Sequence, residues 1–307
     1  MTMPIDDVRL NFDPGNVWLV NLVLAIIMFG VALDLKVDDF RRVLHAPKAP
    51  LMGLIAQFLL FPALTFLLTL ALRPAPSIAL GMILIAACPG GNMSNFVTHM
   101  ARGNTALSVS MTAISSIVAI VMTPVNLTLW GSLNPATAVL LHRIRLNPVD
   151  VLITVLFILG LPLVAGVTVA RQFPRWAEIL HRPFKYLSVA FLLGIIAVAF
   201  AGNYGVFLSN AGVVLAAVVP HNAVALLCGF VMGRAMRLPN RDVRALTVEV
   251  GIQNSALGLT LIFAFFPHLG GMALVAGGWG IWHIAAGLTL ATVWSRFAPP
   301  ADAPEVA

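Results

Sequence analysis

Seven residues, Glu249-Val250-Gly251-Ile252-Gln253-Asn254-Ser255, bring together one carboxylate, two carboxamides, a hydroxyl and a glycine. Glu249 is the only charged side chain between Arg244 and Arg296. A second polar run, Cys88-Pro89-Gly90-Gly91-Asn92-Met93-Ser94-Asn95, lies in equally apolar sequence. A charged side chain deep in hydrocarbon costs about 3 kcal/mol on insertion scales unless a cation or a donor meets it. Carboxylate, amide, hydroxyl and backbone carbonyl oxygens are the ligands of a hard, weakly held cation, and a single negative charge among neutral oxygens suits Na+. With Lys185 and Arg244, each at the edge of a span, counted in the preceding loops, no Lys or Arg lies within a span to pair with Glu249. The chemistry on offer is therefore cation binding at a membrane-buried carboxylate.

The elements that hold these groups are membrane spans. Of 307 residues 60% are hydrophobic and only 10% charged, and the mean hydropathy is +0.96. That is too little charge to cover a water-soluble surface, so the composition predicts an all-α polytopic membrane protein. Apolar runs long enough to cross the bilayer occur at about 16–34, 49–72, 77–101, 104–131, 149–170, 184–202, 210–233, 243–266 and 271–295. They predict nine transmembrane helices. The net charge of +6 does not signal nucleic acid, because the basic residues sit in loops between spans. One face collects Lys36, Arg41, Arg42, Lys48, Arg102, Arg171, Arg175, Arg182, Lys185, Arg234, Arg237, Arg241, Arg244 and Arg296; the other has only Arg9, Arg73, Arg143 and Arg145. The positive-inside rule then puts the N-terminus outside and the C-terminus in the cytoplasm. The expected organisation is an extracellular or periplasmic segment 1–15, one transporter-like domain 16–297 with halves at about 16–131 and 149–297, and a cytoplasmic tail 298–307. The acidic N-terminus does not read as a signal peptide. Cys88 and Cys228 read as small buried residues, neither a disulfide nor a metal pair.

Spans three and eight carry the two polar runs. Proline followed by two glycines removes a donor and loosens the third, and Gly251 lies inside the interruption of the eighth. The spans are five apart, so they run in opposite directions. Matching interruptions in oppositely oriented halves predict an inverted repeat with two broken, crossing helices, one helix short at the front. Unwound backbone is tolerated in a membrane only where protein or a wet cavity surrounds it. The freed carbonyls suit a cation and the half-helix N-termini suit an anionic group.

These runs, with Ala101-Arg102-Gly103-Asn104-x-Ala106-Leu107-Ser108, Met28-Phe29-Gly30, Ile55-Ala56-Gln57-Phe58 and Trp282-His283, resemble the bile acid:sodium symporter family, in its nine-helix, bacterial-type branch. The resemblance implies a core domain moving against a panel, and two sodium sites behind the crossing. It assigns the first to Ser94, Asn95, Ser108, Thr112 and Glu249, and the second to Gln57, Glu249 and Gln253 with Val250 and Ile252 carbonyls. It assigns the substrate end to Asn92, Met93, Asn254 and His283. Independently, Ser108 and Thr112 are four apart and share one helical face. Ile284 stands where family members often carry Asn after the Trp-His pair, so the resemblance carries the ion sites but no particular substrate.

Function is therefore expected to be sodium-coupled symport of a small organic anion, a carboxylate such as a bile acid or a pantoate-like acid, by alternating access in a bacterial inner membrane. Na+ is the coupling ion. No organic cofactor, nucleic acid or obligate protein partner is implied. A cation/proton antiporter using Glu249 is the alternative. An enzyme is not expected, because no nucleophile–base constellation occurs within the spans. Pro220-His221-Asn222 in span seven reads as a helix kink with internal bonds.

Overall fold

The computed structural model describes residues 5–7, 17–33, 45–144, 147–180, 183–184, 186–187, 190, 194 and 204–297. Helix and short connections account for all of them, and no strand occurs among the described residues. The helices are α1 (Val17–Leu33), α2 (Lys48–Leu72), α3 (Pro76–Ala87), α4 (Met93–Met100), α5 (Thr105–Leu133), α6 (Pro135–Ile144), α7 (Pro148–Gln172), α8 (Tyr204–Ala235), α9 (Asn240–Gly251), α10 (Ser255–Phe265) and α11 (Gly270–Ser295). Of these, α2, α5, α7, α8 and α11 are continuous, apolar and long enough to cross a membrane. Large apolar side chains point outward along them, among them Leu67, Val121, Val164, Leu208 and Leu227. Such surface is stable against lipid and unstable against water. The protein is an integral membrane protein.

The predicted third span is two helices, α3 and α4, with the chain unwound over residues 88–92; the predicted eighth is α9 and α10, unwound over 252–254. Both interruptions fall where the polar runs placed them. The predicted sixth span, 184–202, lies largely outside the described residues, as do most of the segment 1–15, the tail from 298 and several of the basic loop residues.

Two features differ from the sequence reading. Residues 135–144, expected as loop, form α6, which buries Thr137 and Leu141. Leu141 packs where Gly131 leaves room for it. The second feature is a widened turn in each of α2 and α7. Phe61 N–H donates five residues back to Ala56 O, and Leu161 N–H to Leu156 O. In each case a proline follows, Pro62 or Pro162, whose missing N–H cannot serve the carbonyl four residues earlier. In α2 that carbonyl, Phe58 O, accepts from Asn126 Nδ2 of α5 at 2.9 Å. The widened turn rotates Gln57 into the interior, where it is fully buried.

The interior packs around α3, which is buried along nearly its whole length. Close helix approaches occur at glycines: Gly229 and Gly233 of α8 lie against α9, and Gly166 of α7 against Phe29 and Ala32 of α1. At one end of the bundle the turn Ile5–Asp7 meets α3, Ser77 N–H donating to Asp6 Oδ1 at 2.8 Å. At the other end Arg244 is buried and donates to the carbonyls of Ala101 (2.7 Å), Trp294 (3.2 Å) and Phe297 (3.3 Å). Its guanidinium lies over the Trp294 ring. Arg244, read from sequence as one more loop charge, thus meets helix C-terminal carbonyls, where a cation is favoured.

Candidate functional site

The two interruptions cross. Gly90 pairs with Gln253 in antiparallel fashion, Gly91 N–H donates to Ile252 O at 2.8 Å, and Asn254 N–H donates to Pro89 O at 2.8 Å. The backbone groups that leave the helices thus satisfy one another, as a chain in hydrocarbon requires. Pro89 offers only its carbonyl. Gly90 and Gly91 are needed for the approach: a methyl group on Gly90 would run into the Glu249 carboxylate, and one on Gly91 would stand 3.0 Å from Gln253 O.

The C-terminal ends of α3 and α9 are capped by side chains from the long helices behind. Thr123 Oγ1 of α5 donates to Ala87 O at the end of α3 (2.7 Å). Asn222 Nδ2 of α8 donates to Gly251 O at the end of α9 (2.8 Å). Asn254 Oδ1 accepts from Leu257 N–H and starts α10. Both Thr123 and Asn222 lie beside a proline inside their helix, Pro124 and Pro220. The expectation of purely internal bonds at His221 and Asn222 is corrected here. Asn222 reaches α9, and His221 Nε2 lies 2.9 Å from Thr65 Oγ1 of α2, its ring stacked on Phe61 and against Trp279.

Glu249 is fully buried beside the crossing. Ser94 Oγ donates to its Oε2 at 2.6 Å, Ser108 Oγ lies 2.9 Å from Oε2, and Thr112 Oγ1 lies 2.7 Å from Oε1. Asn95 Oδ1 is 2.9 Å from Ser108 Oγ and 3.3 Å from Thr112 Oγ1. All five residues expected at the first cation site therefore converge. Acceptor lone pairs outnumber the hydroxyl protons. The Ser94, Ser108 and Thr112 hydroxyls have one proton each, while both carboxylate oxygens and Asn95 Oδ1, with two lone pairs apiece, lie within their reach. Lone pairs left over in a buried pocket suit a desolvated cation. Thr98, which the sequence reading missed, joins the group with its Oγ1 3.4 Å from Ser108 Oγ. It lies four residues after Ser94 on the same face of α4, a spacing that could have flagged it.

The residues expected at the second site also meet. Gln57 Nε2 lies 3.3 Å from Gln253 Oε1, and Gln253 Nε2 donates to Val250 O at 2.8 Å. Ile252 O is the acceptor of the crossing bond from Gly91. Gln57 Oε1 is buried and has no hydrogen-bond partner among the described residues. The four residues expected at the substrate end are less tightly joined. Asn92 is exposed and Met93 half-buried at the start of α4. Asn254 spends its side-chain oxygen on capping α10. His283 is buried, edge-on to Trp279, with Nδ1 unpartnered. Among the described residues no hydrogen bond links these four to one another.

Residues 21–210 match the Sodium Bile acid symporter family. The chain belongs to it. Within this symporter family the chain is 32% identical over 277 residues to the uncharacterized sodium-dependent transporter YocS of Bacillus subtilis, covering 90% of this chain and 83% of that protein. It is 32% identical over 280 residues to a probable chloroplastic sodium/metabolite cotransporter of Arabidopsis thaliana, covering 90% of this chain and 66% of that protein. It is 27% identical over 257 residues to the human ileal sodium/bile acid cotransporter, covering 81% of this chain and 70% of that protein. These relatives are named as transporters rather than enzymes, and as sodium-dependent ones.

Proposed function

We propose that the protein is a secondary active transporter that couples sodium entry to uptake of a small organic anion, a carboxylate in the bile-acid or pantoate-like class. The observation that carries this reading is the oxygen cradle around Glu249, in which hydroxyls from α4 and α5 meet the carboxylate and no basic side chain among the described residues shares it. Ser94, Asn95, Ser108, Thr112 and Glu249 hold the first sodium. Gln57, Gln253, Glu249 and the carbonyls of Val250 and Ile252 hold the second, and the unpartnered Gln57 Oε1 is the atom that gains most from it. A bound cation neutralises Glu249 and ties α4, α5 and α9 together across the crossing. The starts of α4 and α10, with Asn92, Met93, Asn254 and His283, face the anion, where half-helix N-termini favour negative charge.

Transport then proceeds by alternating access, the crossing helices with α2, α5, α8 and α11 moving as a core against a panel that contains α1 and α7. The close packing of α1 on α7 at Gly166 supports that division. Two helices broken at corresponding places support an inverted repeat of nine spans. The Lys/Arg bias supports an N-terminus outside and a C-terminus in the cytoplasm of a bacterial inner membrane. The bond between Asp6 and Ser77 at the Arg73 end of the bundle agrees with it.

The test is reconstitution. Proteoliposomes are screened with labelled carboxylates after thermal-shift selection of candidates in sodium and in choline. The expected result is uptake that requires an inward sodium gradient. Proton antiport driven by sodium with no organic anion taken up would overturn symport in favour of exchange.

A further inference from the structure

Asn222 is 1% exposed, and the sequence marks it only as part of the Pro220 kink. Its amide nitrogen donates to Gly251 O at 2.8 Å. Its other atom, Oδ1, is buried and has no hydrogen-bond partner among the described residues. Gly251 stands between Val250 and Ile252, so a bond to its carbonyl orients the peptide plane that lies between those carrying the Val250 and Ile252 carbonyls. The same stretch of α8 borders both parts of the second cation site. Leu226 fills the space over Gly251, and Cys228 Sγ lies 3.7 Å from Ala56 O, next to Gln57. Gln57 Oε1 is likewise buried without a donor. Two amide oxygens left without donors, on helices that flank the end of α9, are acceptors for a positive ligand. A water has only two protons to donate; a dehydrated cation takes both oxygens and the neighbouring carbonyls as well.

We propose that Asn222 completes the second sodium site, its Nδ2 holding the carbonyl array at the end of α9 in place and its Oδ1 adding a neutral ligand opposite Gln57. This rests on the sodium-coupled reading above and adds to it a residue on a helix that the reading does not use for ions. It also gives α8 a part in coupling: a sodium bound between Gln57, Asn222 and the end of α9 joins three helices that otherwise meet through apolar packing and isolated hydrogen bonds.

The test uses the purified full-length protein and sodium alone, with choline as the control cation, and needs no transported anion. Sodium-dependent thermal stabilisation and radioactive sodium binding are titrated for wild type, N222A and E249Q. N222A is expected to raise the sodium midpoint about tenfold, the effect of removing a supporting group from a metal site, and to bring the Hill coefficient down towards one. A purely structural role would instead lower the melting temperature in choline and leave the sodium midpoint where it was. That outcome overturns the proposal. If N222A does not accumulate in the membrane, N222S replaces it, and an unshifted sodium midpoint in N222S overturns the proposal equally. E249Q separates the two levels. A wild-type sodium response in E249Q removes the cation reading itself. Loss of the response in E249Q beside an unchanged N222A removes only the part assigned to Asn222.

Discussion

The two interruptions reach the same crossing by opposite means. The first is made by taking groups away: Pro89 lacks a donor, and Gly90 and Gly91 lack the side chains that would strike Glu249 and Gln253. The second keeps its side chains and commits them, Glu249 to three hydroxyls, Gln253 to Val250 O and Asn254 to the start of α10. One break supplies room and the other supplies charge. Neither is a site alone, because the hydroxyls that meet Glu249 come from α4, just past the first break, and from α5. A crossing so divided should respond unequally to the same kind of change on its two sides.

The largest effect belongs to the charge. Glu249→Gln should abolish sodium-dependent uptake and sodium-induced thermal stabilisation while the protein still inserts; a preserved sodium response would remove the asymmetry at its root. Next come the paired glycines. Gly90→Ala pushes a methyl group into the Glu249 carboxylate, with Gln57 Nε2 3.4 Å away. Overpacking of this kind costs about 1–3 kcal/mol, here paid within the cation site, so sodium affinity should fall by about a factor of ten or more. Gly251→Ala runs into Leu226 instead of a proposed cation ligand, so it should cost stability, and sodium titrations should show a smaller change. The reverse order would mean that room is needed at the second break and not at the first.

A third comparison sets support against binding. Thr123→Val removes the cap on Ala87 O and should lower thermal stability by about 1 kcal/mol, the ordinary worth of one hydrogen bond, with little change in sodium affinity. A shifted sodium midpoint in that variant would show that the first break also tunes the ion. The smallest effect is expected away from both breaks. Ile284→Asn changes a half-buried residue of α11 next to His283 and should alter the preference among carboxylates in uptake competition while leaving the sodium dependence alone.

Much of this was legible in the sequence, for identifiable reasons. Apolar length marks spans, and proline with paired glycine marks a break, because both act locally. Glu249 was conspicuous because a charge in an apolar run has few structural excuses. Ser108 and Thr112 declared a common target by their spacing. What stayed hidden depends on neighbours far along the chain. Nothing local to Gln57 shows that a widened turn ahead of Pro62 swings it inward, or that Asn126 repairs the carbonyl so exposed. Thr123 and Asn222 look like ordinary polar residues beside prolines until the ends of α3 and α9 arrive against them. The helix at 135–144 escaped because it is too short and too polar to read as a span, and it is held by packing against α3 and α5 that the local sequence does not show. Arg244 escaped for the opposite reason, since a charge near a helix end is usually solvated.

Arg244 lies one and a half turns before Glu249 on the short helix α9. Its guanidinium grips the carbonyl ends of two other segments, at Ala101 and at Trp294 and Phe297, while the far end of α9 grips the crossing. The helix is therefore a strut pinned at both ends. A shift of α9 along its axis is thereby linked to the last turn of α11, and a reporter dye or spin label placed near Phe297 is expected to register sodium binding at the cradle.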